Sequence, residues 1–334
     1  MNRGLVVAMA MQGALACSPA NVAGPPVDAG EAGSVTGEAG GAVTACADVA
    51  FARCDHLKVC STAAMGFRYG DERTCEAIFK DACLAIISAP STGTTTATAE
   101  ACAQKIPTWS CGDYLFNQNP PPECQRQSGQ LPNGSPCGLG PQCQSAFCSI
   151  AANKMCGTCA PAPQAGASCA NLADCGPSLN CIPASLTCEG YLQMGGQCTP
   201  GLPCGVGLAC VGYSAQSGTR GTCQPEAAKM NDPCSFLGAG CDVFQGLSCN
   251  AQTQTCGTAQ IVGAGAACGL VANQQAFCAA SGTCVDGACQ AAAGVGEPCD
   301  VVKGPACIGQ ARCVTDTDGG AAGTCRIPSG ATCR

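Results

Sequence analysis

The sequence predicts a small disulfide-rich fold: an N-terminal disulfide-pinned helical domain, then a tandem array of about six short four-cysteine modules with β-hairpins. Three observations predict it. Cysteine makes up 35 of 334 residues, while aromatics are 4% and charged residues 11%; cysteine above roughly 8–10% marks a disulfide scaffold. Up to Cys124 the cysteines are widely spaced and helical periodicity is visible. After Pro132 the texture changes, and a small turn residue stands three positions before a cysteine again and again, which is the mark of a fixed-period array.

Residues 1–16 read as a signal peptide: Arg3 supplies the positive start and Gly4 to Ala16 a short apolar stretch, too short to span a bilayer. Two cleavage readings compete. Ala14-Leu15-Ala16 fits the A-x-A pattern of an ordinary cleavage site. The same residues followed by Cys17 resemble the lipobox of bacterial lipoproteins, with Ala14 where leucine is commonest, which implies lipidation of Cys17. Residues 17–45 then read as the lipidated cysteine and a disordered tether. Ser18 to Ala45 is cysteine-free and built of Ala, Gly, Val and Pro with scattered acids, too little apolar surface to offset its ordering entropy. As a flexible coil it reaches roughly 30 Å.

Residues 46–132 read as a helical domain whose Cys46, Cys54, Cys60, Cys75, Cys83, Cys102, Cys111 and Cys124 make about four bridges. In DERTCEAIFKDACLAII, Cys75, Phe79, Ala82, Cys83 and Ile86 share one helical face, with Asp71 as N-cap. CADVAFARCDHLKVC reads as a second helix. TATAEACAQKI is a third, begun at Thr96 or Thr98 and stopped near Pro107, with Trp109 as a core plug.

Residues 133–334 read as tandem repeats. The starts are Gly134, Gly166, Gly195, Asn231, Gly265, Gly296 and Gly330, spaced 32, 29, 36, 34, 31 and 34 residues apart. Asn is the other residue that tolerates left-handed backbone, so the shared demand is a positive φ. The first three units take Cys137, Cys143, Cys148, Cys156, then Cys169, Cys175, Cys181, Cys188, then Cys198, Cys204, Cys210, Cys223. The next three take Cys234, Cys241, Cys249, Cys256, then Cys268, Cys278, Cys284, Cys289, then Cys299, Cys307, Cys313, Cys325. Cys159 and Cys333 are left over, and a shift of phase by one cysteine instead leaves Cys137 outside. Each unit allows three pairings, which spacing cannot resolve. In CVDGAC, Asp286-Gly287 is a two-residue hairpin turn. The 34 cysteines after Cys17 are even in number, and an odd cysteine in an exported chain needs a separate chemistry.

The net charge of -7 argues against nucleic acid as partner. No nucleophile elbow, zinc-protease, P-loop or dinucleotide motif occurs, so no enzyme, catalytic residue or cofactor is expected. His56, the only histidine, reads as a solvated or capping residue rather than a general base. Cys156-Gly157-Thr158-Cys159 has zinc-knuckle spacing but no second knuckle, and no strand-to-helix setting for a redox pair. No metal is expected. Asp316 to Gly319 resembles a fragment of a calcium loop without the later ligands.

On these residues the repeats, from about Gly134 to Arg334, resemble the cysteine-rich modules of the Dickkopf N-terminal domain, themselves loosely EGF-like. The shared frame is G-x-x-C, C-x(5)-C, Gly-Leu-x-Cys and a hairpin cysteine. The N-terminal block, with FRYGDERTC and LPNGSPCGLGPQCQSAFC, is similar to cysteine-rich lipoproteins of myxobacterial genomes. The resemblance implies an exported outer-membrane or cell-surface lipoprotein, anchored through its lipid, that binds a protein or glycan or serves as a structural rod. A secreted or periplasmic location is the alternative. The other functional class is a protease inhibitor or toxin-like effector, presenting a loop such as Tyr213 to Arg220 or Phe236 to Gly240.

Overall fold

The computed structural model describes residues 38–333, apart from the short stretches 152–153, 170–174, 176–178, 183–186, 200–203, 206, 215–216, 236–239, 310 and 316–319. The expected leader, Cys17 and the expected tether up to residue 37 lie outside the described residues. Five helices form a hub: α1 (Glu38–Cys60), α2 (Thr62–Tyr69), α3 (Glu72–Ile87), α4 (Thr96–Lys105) and α5 (Cys111–Leu115). Side-chain oxygens cap four of them. Ser61, Asp71, Thr95 and Ser110 each accept from the backbone N–H three residues on. At α4 the cap is Thr95, with Thr98 returning the bond as a capping box, one residue before the expected start.

The hub carries four bridges. Cys46–Cys83 and Cys54–Cys75 tie α1 to α3, Cys60–Cys111 ties α1 to α5, and Cys102–Cys124 ties α4 to the turn that ends the hub. Its core holds Leu57, Ile106 and Trp109, the last with Nε1 donating to the Gln118 carbonyl at 2.7 Å. One boundary is corrected. α1 begins at Glu38, inside the expected tether, because Ala45 and Val49 pack against Ala99 and Ala103 of α4. Small residues let the two helices close on each other, and that packing overrides the low hydropathy of the segment.

Six modules follow, at residues 131–159, 164–190, 192–225, 227–258, 260–290 and 293–326. Each opens on a turn whose third residue has positive φ: Gly134, Gly166, Gly195, Asn231, Gly265 and Gly296, from 67° to 91°. The residue after each donates back across the turn at 2.9–3.2 Å, so these are type II turns, which demand φ > 0 at that position. The N–H of the positive-φ residue itself donates to the carbonyl of the module's last cysteine. That cysteine's N–H in turn donates to the carbonyl of the next turn residue, all at 2.7–2.9 Å. Two residues thus face one, the geometry of a glycine bulge.

The third and fourth cysteines stand directly opposite in an antiparallel pair in all six: Cys148↔Cys159, Cys181↔Cys188, Cys210↔Cys223, Cys249↔Cys256, Cys284↔Cys289 and Cys313↔Cys325. They bond the first and second cysteines respectively. The bridges are Cys137–Cys148 and Cys143–Cys159, Cys169–Cys181 and Cys175–Cys188, Cys198–Cys210 and Cys204–Cys223. In the later modules they are Cys234–Cys249 and Cys241–Cys256, Cys268–Cys284 and Cys278–Cys289, Cys299–Cys313 and Cys307–Cys325. In modules 1, 3 and 6 a short first strand adds to the outer side of the last one, making three-stranded sheets. Module 5 inserts a further sheet from Gln260–Val262, Gly269–Val271 and Gln274–Cys278 before its Asp286-Gly287 hairpin, where both turn residues have positive φ. The buried centre of each module is its cystines. Each bridge closes a loop of 11–19 residues, adding about 3 kcal/mol in the chain-entropy model.

Two expectations are overturned. Cys159, not Cys156, is the fourth cysteine of module 1, because only Cys159 lies opposite Cys148 in the sheet. Cys333 does not begin a further unit, and Gly330 lacks the positive φ of the six true starts. Cys156 and Cys333 bond each other across 177 residues. The array is therefore no rod: its C-terminal end is fastened to its first module, and modules 1, 4, 5 and 6 lie against the hub.

Candidate functional site

Two features organise the surface on which the array meets the hub: an aromatic seam along α2, and the fastening at the C-terminus. α2 is a short helix framed by Ser61 and Gly70, whose φ is 75°. Phe67 of α2 lies 6.2 Å, ring to ring, from both Phe244 of module 4 and Phe277 of module 5. Phe116, just past α5, stands edge-on to Phe244 at 5.2 Å and to Tyr191 at 5.8 Å. Four of the chain's eight phenylalanines are thus spent on one seam.

Polar contacts fix the register of the seam. Ser61 Oγ donates to the Phe244 carbonyl and accepts from Ala64 N. The Arg68 guanidinium lies 5.3 Å over the Phe244 ring and donates to the Leu115 carbonyl at 2.7 Å. Burial holds its pKa below the usual arginine value. Ala280 N and Ser281 N donate to the Gly66 and Phe67 carbonyls, and Ser281 Oγ to the Arg68 carbonyl. Ile261 Cδ1 lies 3.0 Å from where a Cβ of residue 66 would be, so glycine there permits the approach of module 5. Burial also raises the pKa of Tyr69 and Tyr114 beside this seam.

At the fastening, Gln142 of module 1 is 2% exposed. Its Oε1 accepts from Gly138 N and Leu139 N, at 2.9 and 3.0 Å. Its Nε2 donates to the carbonyls of Pro90 in the hub and Gly330 in the C-terminal tail, at 2.9 and 3.3 Å. One amide therefore joins three parts of the chain. Neither Gln142 nor the seam was foreseen, since no period or spacing marks either; the sequence hint for α2 was the pair Ser61 and Gly70 around TAAMGFRY.

His56 is not solvated but buried at 7% exposure, with Nε2 2.8 Å from the Trp109 carbonyl and its ring edge-on to Tyr114 at 4.7 Å. Its neighbour Cys60 is bonded to Cys111, so no thiol stands beside it to be activated. The same holds for the clusters whose spacing would suit a metal, such as His56–Cys60–Cys111 or Cys137–Cys143–Cys148: every thiol in them is consumed by a bridge. Cys156 and Cys159 have different partners and do not form a dithiol pair.

Tyr213 to Arg220 closes through Ser214 and Thr219, which exchange backbone bonds at 3.0–3.1 Å. Of the loop Phe236 to Gly240, residues 236–239 lie outside the described residues, as do Asp316 to Gly319 and Cys17. A shallow open groove of about 560 Å³ beside the start of α1 is lined by Gly41, Ala42, Ile87 and threonines 92, 94, 95 and 96. No helix among the described residues is long and apolar enough to cross a membrane. No protein-family model, curated protein or solved structure matches the chain.

Proposed function

We propose that this chain is an exported, non-catalytic surface lipoprotein, anchored by lipid on Cys17, whose disulfide-closed array is a binding or structural module of the cell envelope. The observation that carries the reading is the complete pairing of Cys46 to Cys333. Seventeen bridges consume all 34 of those cysteines, so none remains for Cys17. Disulfides at this density belong to an oxidising compartment, and a cysteine left without a partner after a short apolar leader fits acylation. Support for a binding or structural role comes from the chemistry of the described residues: every described thiol is bridged, and the one histidine is buried with its Nε2 on the Trp109 carbonyl. The Dickkopf-like and EGF-like resemblance adds to it, since its cysteine-and-glycine frame is a scaffold rather than a catalytic motif.

The test is mass spectrometry of the mature N-terminus together with membrane fractionation of the wild type and Cys17→Ser. Acylated Cys17, and release of the variant into the soluble fraction, are the expected results. An unmodified Cys17 defeats the anchor. Stoichiometric inhibition of a protease by the purified ectodomain would move the chain into the inhibitor class instead.

A further inference from the structure

The bridge between Cys156 and Cys333 differs from the other sixteen in where it sits and in how its halves are held. It alone lies outside the four of the hub and the two of each module, so every folded unit keeps its full set of bridges without it. Its Cys156 half is exposed while Cys333 is buried. Among the described residues only two other half-cystines are exposed, Cys111 and Cys284, and each sits in a unit held by further bridges. When one of those opens, the unit keeps its two sulfurs together at high effective concentration and they reclose. Cys333 is held by fewer contacts: it lies seven residues past the last strand at Arg326, with Gln142 gripping Gly330 between them.

That tail covers something. Ile327, its first residue, lines a gap of about 30 Å³ between α3 and module 6, together with Ile78, Ala82, Val295 and Ile308. Ile308 is 4% exposed and belongs to the hub core. Lifting the tail would therefore uncover a cleft, lined also by Asp81, where module 6 meets the hub through aliphatic side chains.

We infer that Cys156–Cys333 is a thiol-exchange site, and that its opening by a dithiol releases residues 327–333 as a strap from the cleft between α3 and module 6. The chemistry balances with the dithiol alone. One of its thiolates attacks the sulfur of Cys156, the exposed half-cystine, forming a mixed disulfide and expelling Cys333 as thiolate. The second thiolate then displaces Cys156, leaving the reagent as a disulfide and the protein with two thiols that carry the reagent's two protons. The site stands whether or not Cys17 is acylated, and goes beyond the anchoring and binding role.

Limiting dithiothreitol on the intact, oxidised chain, followed by alkylation and peptide mass mapping, tests the site. Cys156 and Cys333 should be labelled at a rate about tenfold or more above any other bridge, as expected for an exposed half-cystine whose bridge lies outside every folded unit. Hydrogen exchange should rise at residues 72–87 and 305–311 in the same sample, with α2 unchanged. The double variant Cys156→Ser with Cys333→Ser should show that exchange pattern without reductant; if it fails to fold, the wild-type measurements decide alone. Labelling first at Cys60–Cys111 or Cys268–Cys284, or at all bridges together, overturns the site. Selective labelling with unchanged exchange over the cleft overturns the strap.

Discussion

Gln142 Nε2 donates to the carbonyl of Pro90 at 2.9 Å, across 52 residues and from the array into the hub. The rest of the amide is equally engaged, with Gly138, Leu139 and Gly330 as its other partners. A buried amide with all its capacity used specifies one arrangement, because any other leaves polar groups dry and unpaired.

Gln142→Leu keeps the approximate volume and strands two backbone N–H groups and two carbonyls. At about 1–3 kcal/mol for a buried group left unsatisfied, with some regained by water, a loss of about 2–4 kcal/mol is expected in non-reducing denaturant unfolding. An unchanged midpoint would show that the amide is not the junction described.

The turn positions can be probed without steric interference. Nothing lies within 4 Å of a Cβ built on Gly265, whose φ is 80°. Gly265→Ala should therefore cost only the backbone penalty, about 1–2 kcal/mol for a non-glycine residue in the left-handed region. Asn231→Gly should be near neutral and Asn231→Ala should cost as much as Gly265→Ala. Equal stabilities for all three would refute the shared demand for positive φ.

Phe244→Ala removes the ring that meets Phe67, Phe116 and Arg68. The ring is half-buried, so a loss of about 2 kcal/mol is expected, below the roughly 3–5 of a fully buried phenylalanine. Hydrogen exchange at residues 61–70 should rise, while the cystines of module 4 hold that module's own amides protected.

Glu226 sets a pH dependence. Burial, and secondarily Asp242, pushes its carboxyl up to about 7 from 4.5. Between those values the folded chain holds a proton that the unfolded chain has released, so this group's contribution falls as pH rises from 4.5 to about 7. Glu226→Gln should flatten that part of a melting-temperature profile and raise stability above pH 7. A profile identical to the wild type would contradict it.

The sequence by itself determined what is local. Periodicity around Cys75 marked α3, Asp71 its cap, Asp286-Gly287 a hairpin, and the interchange of Gly with Asn at residue 231 a positive φ. The cysteine count pointed to an oxidising compartment and set Cys17 apart. Tertiary structure decided what depends on partners distant in the chain. Of three pairings open to each module, cross-strand register selected one, with the third and fourth cysteines facing each other and reaching back to the first and second. Register likewise gave module 1 Cys159 in place of Cys156, and freed Cys156 to meet Cys333. Residues 38–45 became helix through Ala99 and Ala103, a contact no local window contains. Spacing records how far apart residues lie along the chain; which of them meet is settled by packing, and here packing turned an expected rod into a belt fastened on its own hub.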